Sequence, residues 1–433
     1  MRHSNHPAAH LLLLLGVLGC DSTAPDGGQS PSFNAGEAAA RFADFTPLLG
    51  TASCLAPPSL VGDFASYQPF LLPAGYSQRI LATELADFAV AGSGADLPDM
   101  MTLNESGADA NRYLYRTHEV GSNGAVTKTD LVTGQTVVVA QAPHYEALDG
   151  IAWTPWGTVL FAEERITASL RDPQVPNAVG GLLYEYDPAT GVSTPRPAFG
   201  ARSHEGLRFD RDGNLYGISE STPGVNGSGA IYKFVPTRRG DLSSGQLYAL
   251  KVRDAATREG RADWVQLSSE DAKINSDAAA IAKGATGWGR PEDIEFVTTR
   301  RGGTAETMYV TSTSERLVLR IDLKIGNQAV VTNFVKEGLN VTGLDNPDNL
   351  EVDGFGNVYI IEDNGPGDIW LAKNANRPRV ATEVALFASL SDCAAEPTGM
   401  YFAPGGLKFW VHVQHAGGAL RNDLLVEISK DTP

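Results

Sequence analysis

The chain is short of the residues that most often announce a function. It has 3 cysteines and 8 histidines in 433 residues, and no Cys or His pair stands at zinc-ligand spacing, which argues against a simple zinc centre. Lys and Arg number 34 against 51 Asp and Glu, a formal charge of −17. With no basic stripe to neutralise phosphates, nucleic acid is excluded as a partner. Helical periodicity is nearly absent, which excludes a helical bundle. The apolar N-terminal run, Leu11 to Leu15 extended by Gly16, Val17 and Leu18, is too short to span a bilayer.

That run begins behind Arg2 and His3 and ends at Gly19 and Cys20, the layout of a secretory signal. Val17-Leu18-Gly19-Cys20 resembles a bacterial lipobox, whose cysteine becomes the lipidated first residue, and Asp21 behind it resembles an inner-membrane retention signal. The plainer alternative is an ordinary signal peptide with an incidental cysteine. The expectation is an exported lipoprotein of the bacterial cell envelope, in the periplasm or on the cell surface, which meets the membrane only through its lipid anchor. Cys54 and Cys393 then share an oxidising compartment, where a disulfide is expected and two free buried thiols are the alternative.

What the chain does have is a repeat. From Asn346 to Asn364, Leu350 and Val352 alternate with polar residues, Asp353 to Asn357 carry turn-forming Gly and Asn, and Val358 to Ile361 form a β-branched and aromatic return strand. This hairpin brings Asp348 and Asp363, fifteen positions apart, to one open end. Glu205 and Glu220 repeat the spacing, as do Asp149 and Glu164. Looser copies start at Asp99 (reaching Glu119), Glu292 and Glu396. Six repeats, each a hairpin followed by further strands, predict an all-β six-bladed β-propeller. Ser77 to Ala82 can pair with Leu424 to Ile428 to close the ring, and an insertion from Ala255 to Gly287, whose Ala-rich part Ser269 to Lys283 is expected to be helical, is expected to cap one face before the fourth blade. The expected organisation is a signal peptide over 1–19, a flexible tether over 20–58 and the propeller over 59–433.

In a propeller, equivalent positions at the start of each repeat converge on one channel mouth. Asp99, Asp149, Glu205, Glu292, Asp348 and Glu396 would form a ring there, reinforced by Glu119, Glu164, Glu220 and Asp363. Two like charges about 4 Å apart repel by roughly 4 kcal/mol at an effective dielectric near 20. Such a ring needs raised proton affinities or bound cations. Oxygen-only ligation suits calcium or ferric iron. The alternative is that the acids bond turn N–H groups and strand ends, with one calcium ion plugging the channel. Arg290, two residues before Glu292, can present its fork to a phosphate at the same mouth or simply pair with its acidic neighbours. His118, His204 and His415 adjoin repeat ends and are candidates for orienting ligands.

Taken in order, several short motifs resemble one family: Thr117-His118-Glu119, Thr154-Pro155-Trp156-Gly157-Thr158 with Glu163-Glu164, Ser203-His204-Glu205-Gly206, Arg290-Pro291-Glu292, Asn346-Pro347-Asp348-Asn349 and Glu396-Pro397-Thr398-Gly399 with Gln414-His415. The chain from Leu72 onward resembles the PhoX-type bacterial alkaline phosphatases, secreted six-bladed propellers carrying an iron and calcium cluster. The resemblance implies a hydrolase of phosphate monoesters, with Glu164, Glu205, Glu292 and Glu396 as cluster ligands and Arg290 and Asn349 binding phosphate. Two positions depart from the family pattern: Asp149 stands where the family has a cysteine iron ligand, and no lysine lies between Lys128 and Asp149. The implied cofactors are calcium and, through oxygen ligands, iron. The implied partner is a small phosphate ester, taken up by a monomer. A calcium-dependent lactonase or ester hydrolase and a non-catalytic, calcium-stabilised binding propeller are the alternatives.

Overall fold

The computed structural model describes residues 42–55, 64–88, 97–224, 226–227, 229–297, 306–374, 378–417 and 422–431. The expected signal peptide, Cys20 and most of the expected tether lie outside this set. No helix among the described residues is long and apolar enough to cross a membrane.

Alternation within the strands explains the packing. Val159 and Phe161 face a cluster with Tyr115 and Val126, while their neighbours Leu160 and Ala162 face another with Leu207 and Leu215. Because successive side chains leave opposite faces of a strand, each sheet is buried on both sides and the core is a series of layers between sheets. The result is an all-β, propeller-like fold. One sheet is the meander Pro98–Leu103, Tyr113–His118, Ala125–Asp130 and Thr136–Gln141; a second runs from Leu148–Trp153 to Val192–Pro195. A five-stranded sheet runs from Pro347–Val352 outward to Val384–Leu390 and Phe70–Leu71.

The last four-stranded sheet joins Glu396–Phe402, Lys408–Gln414 and Leu424–Lys430 to Tyr76–Thr83, so strands from the two ends of the chain pair as expected. The inner strands Pro98–Leu103, Leu148–Trp153, His204–Phe209, Ile294–Val297, Pro347–Val352 and Glu396–Phe402 touch one another in turn, and the last touches the first.

The expectation of six separate sheets is not met. Gly260–Gln266 pairs with Asp241–Val252 on one side and Gln328–Lys336 on the other, fusing two meanders into one nine-stranded sheet that begins at His204–Phe209 and ends at Ile294–Val297. The predicted insertion does contain a helix, Ser269–Ala282, with Ser268 accepting a hydrogen bond from the Asp271 N–H at its start. It is pinned by the buried Asp277, which accepts from Ser219 at 2.8 Å, Ser221 at 3.1 Å and Tyr232 at 2.5 Å.

Part of the segment expected to be a tether is packed. Phe42 is buried among the rings of Tyr76, Phe387, Phe402 and Phe409, with centroids 5.0 to 5.5 Å away, a burial that contributes about 2 kcal/mol. The segment then runs beside the five-stranded sheet, Leu48 N–H bonding Leu386 O at 3.1 Å and Leu55 N–H bonding Ser391 O at 2.7 Å. Cys54 and Cys393 form a disulfide, with Cα atoms 5.4 Å apart across 339 positions of sequence.

Candidate metal centre

A shared backbone irregularity aims the acids. In five inner strands the pairing with the return strand skips a step: between Pro98 and Met101, Leu148 and Ile151, His204 and Leu207, Pro347 and Leu350, and Thr398 and Tyr401. A bulge leaves its residues out of the ladder and re-aims their side chains. The residues in the skip open with Asp99, Asp149, Glu205, Asp348 and Gly399. Glu292 and Asp293 occupy the matching place just before Ile294–Val297.

Neighbouring strands are stitched at this level. Thr117 Oγ1 donates to Asp149 O at 2.6 Å, the Gly206 N–H to Glu292 O at 2.9 Å, and the Leu350 N–H to Asp293 Oδ2 at 2.9 Å. Thr398 Oγ1 donates to Asp99 Oδ1 at 2.5 Å. The approach is close enough that a Cβ on Gly150 would stand 2.2 Å from Glu205 O, and one on Gly206 2.2 Å from Asp293 Oδ1. Glycine is therefore the residue that fits after Asp149 and Glu205.

Three of the carboxylates stand together. Asp149, Glu164 and Glu205 each offer an oxygen within 4.8 Å of the others. Burial is the largest cause raising the proton affinity of Glu205, and Asp149 and Glu164 add to it. Burial likewise raises Glu292, with Glu220 adding, and Asp348, with Glu292, Asp363, Asp99 and Asp149 adding. Asp149 is pushed up to about 7, again chiefly by burial. Glu119 lies against Glu164 and Gln414. Each of the ten acids singled out in the sequence lies near enough to at least one other to raise its proton affinity or have its own raised.

Glu396 takes a different place from the rest. The sixth inner strand puts Gly399 at the bulge, and Glu396 sits nearer the strand's start, 3.3 Å from His415 Nε2. It still lies against Asp363, and burial raises it to about 7.

Arg290 reaches the mouth from a left-handed backbone conformation, φ 49°. Its Nε bonds Glu220 at 2.6 Å, and its Nη2 lies 3.0 Å from Glu292 and 3.6 Å from Asp363. Asn349 is buried, with Oδ1 accepting from the Gly399 N–H at 2.6 Å and lying 2.8 Å from Thr398 Oγ1, whose one hydrogen it shares with Asp99. Its amide nitrogen, 3.4 Å from Asp348 Oδ1, is the end turned to the acids. His118 and His204 turn away: His118 bonds Thr127 Oγ1 at 2.8 Å, and His204 bonds Gly200 O at 3.1 Å while stacking on Phe199. Both precede an acid in sequence and so face the other side of the strand.

The donor set fits hard cations. Both carboxylate oxygens of Glu205 and Oδ1 of Asp149 are shielded from solvent and are offered no N–H or hydroxyl donor, the two carboxyls meeting only each other, whereas buried carboxylates in proteins are otherwise satisfied by donors. Oxygen ligands at this density, without sulfur or imidazole in the group, match calcium or an oxygen-held ferric ion.

The raised affinities carry a stability consequence. In the unfolded chain these carboxyls ionise near pH 4, while folded Asp149 and Glu396 hold their protons up to about 7. Between those values the native state binds more protons, so the stability of metal-free protein falls as pH rises through the window and stays low above it. In chelator, the melting temperature is expected to drop between about pH 5 and about pH 7.5, and the gain on adding calcium to grow over the same range. A flat or rising profile would contradict the shared burial of the acids.

Sequence reasoning overlooked Asp293, and Thr398 entered it only as part of a motif. Asp293 was legible as the second acid of a Glu-Asp pair at a repeat start; Thr398 bonds across to the first repeat, which no local pattern records.

A profile of the family described as alkaline phosphatase PhoX matches residues 150–322. No curated protein matches the chain. Among solved structures, Pseudomonas fluorescens PhoX in complex with vanadate, a transition state analogue, is similar at 17% identity, with a TM-score of 0.61, covering 88% of this chain and 98% of that one. The calcium-binding protein regucalcin from Agrobacterium tumefaciens is similar at 14% identity, with a TM-score of 0.44, covering 82% of this chain and 96% of that one.

Proposed function

We propose that this chain, a divergent member of the alkaline phosphatase PhoX family, is an exported, metal-dependent phosphatase that hydrolyses small phosphate monoesters at the carboxylate-lined mouth. The observation that carries this reading is the pairing of buried, donor-less oxygens on Asp149 and Glu205 with a guanidinium, Arg290, tied to Glu220, Glu292 and Asp363 beside them. Rigidity alone would not require that arginine. The proposed scaffold has six blades. The closed cycle of inner strands supports the count, with the nine-stranded sheet read as two blades joined by Gly260–Gln266.

Asp149, Glu164, Glu205, Glu292, Asp348 and Glu396 would hold the cations, which we take to be calcium, with iron as the second candidate. Bound there, the cations would supply positive charge that polarises the phosphoryl oxygens and offsets charge on the leaving alkoxide. Arg290 would present its Nη1 edge to a phosphate oxygen, held in direction by the three acids on its other nitrogens. The Asn349 amide, immobilised by Thr398 and Gly399, would offer a fixed N–H donor from below. His415 beside Glu396 would keep that carboxylate oriented. Asp149, in place of a cysteine, keeps the donors all oxygen. Lipidation at Cys20 and a monomeric state complete the proposal, and the disulfide fits an exported location.

The test is hydrolysis of an aryl phosphate by protein purified with its metals, run beside lactones and phosphodiesters. Phosphate release that disappears with chelator and returns with calcium or iron is expected. Lactone opening without phosphate release would replace this reading with a calcium-dependent lactonase.

A further inference from the structure

Arg165 directly follows Glu164 and is fixed by its backbone: the Glu164 N–H bonds Ala147 O and the Gly181 N–H bonds Arg165 O, both at 2.8 Å. Its side chain is half-buried and its Nε is shielded from solvent without a hydrogen-bond partner. The guanidinium leans toward the corner at Gly121, where a Cβ would stand 3.7 Å from Nη2. It is also close enough to Glu119 to act on that carboxyl. The half-buried Arg196, Arg208, Arg258 and Arg290 all spend their guanidinium groups on carboxylates. Arg165 makes no such pair among the described residues, although Glu119 lies near it.

Position matters as much as vacancy. Arg290 binds Glu220, Glu292 and Asp363 on one arc of the ring, while Arg165 borders Glu119 and Glu164 on the other, with Asp149 and Glu205 between. We propose that Arg165 is a second phosphate-binding residue, whose guanidinium takes oxygens of the substrate's phosphoryl group from the side opposite Arg290. The Nε edge, shielded from solvent, is closed to phosphate as it is to water, so the charge-assisted bonds would come from Nη1 and Nη2, which pair with no carboxylate among the described residues. This rests on the phosphatase reading for its substrate, but it predicts phosphate binding in its own right.

Calorimetric titration of the metal-loaded, full-length protein with inorganic phosphate tests it. Arg165→Ala should weaken phosphate binding about tenfold or more, with Arg165→Lys recovering part of the loss. Metal content and melting temperature should stay at wild-type values. With an aryl phosphate, Arg165→Ala should raise KM by a similar factor and leave kcat nearly unchanged, as expected for a group that binds ground and transition states alike. Unchanged phosphate affinity in Arg165→Ala, loss of calcium from it, or a wild-type protein that binds no phosphate would each overturn the assignment. If the wild type binds phosphate, Arg165→Ala weakens that binding and no ester is hydrolysed, Arg165 stands and the phosphatase reading falls.

Discussion

Glu205→Ala is expected to remove metal-dependent hydrolysis of an aryl phosphate almost entirely, lowering kcat/KM by a factor of about 10³. The size follows from position. Glu205 is 1% exposed, lies with Asp149 and Glu164 within 4.8 Å, and meets no N–H or hydroxyl donor, only the Asp149 carboxyl, so its coordinating capacity is directed at the space between the acids. The same substitution should have opposite effects on stability with and without metal. In chelator it deletes a buried charge that repels Asp149 and Glu164, so the metal-free variant should melt at or above the wild type. With calcium the order should reverse, because the variant has lost a ligand and gains less from binding. Metal analysis together with melting curves in calcium and in chelator checks both signs. A variant that keeps full metal content and full activity would show that Glu205 is only structural.

Arg290→Ala is the second large effect, a loss of about 10² to 10³ in kcat/KM. Arg290 links Glu220, Glu292 and Asp363, which come from three different repeats. Removing it takes away an anion ligand and leaves those acids repelling one another. Arg290→Lys should recover only part of the rate, since an ammonium cannot span two carboxylates and a phosphate with fixed fork geometry. Inhibition by inorganic phosphate should weaken in parallel with the rate. Loss of rate with phosphate affinity intact would instead assign Arg290 to holding the ring together.

The pairing of Asp149 with Glu164 and of Glu205 with Glu220 was readable from sequence because a hairpin of fixed length returns the chain to its starting end. Closure by Tyr76–Thr83 and the helix at Ser269–Ala282 were readable for similar local reasons. Other features were not. The bulges that aim Asp99, Asp149, Glu205 and Asp348 leave no mark on composition, since a bulge is a matter of how two strands pair. The sixth unit carries Gly399 where the others carry an acid, and Glu396 meets Asp363 from nearer the start of its strand. His118 and His204 looked poised because they adjoin acids, and that adjacency turns them to the opposite face. Gly260–Gln266 was read as part of a capping insertion because its partner strand, Gln328–Lys336, is some seventy positions away.

The sheet that unites Tyr76–Thr83 with Leu424–Lys430 also governs when the molecule can be finished. A growing polypeptide exposes Tyr76–Thr83 long before Leu424–Lys430, the strand that covers its open edge, is made, and contacts of such sequence separation form slowly. Any nascent fragment therefore carries an unsatisfied edge of the kind that recruits other chains. Closure of this sheet waits on Leu424–Lys430, and a frameshift or stop codon between residues 83 and 424 would leave Tyr76–Thr83 without its partner strand.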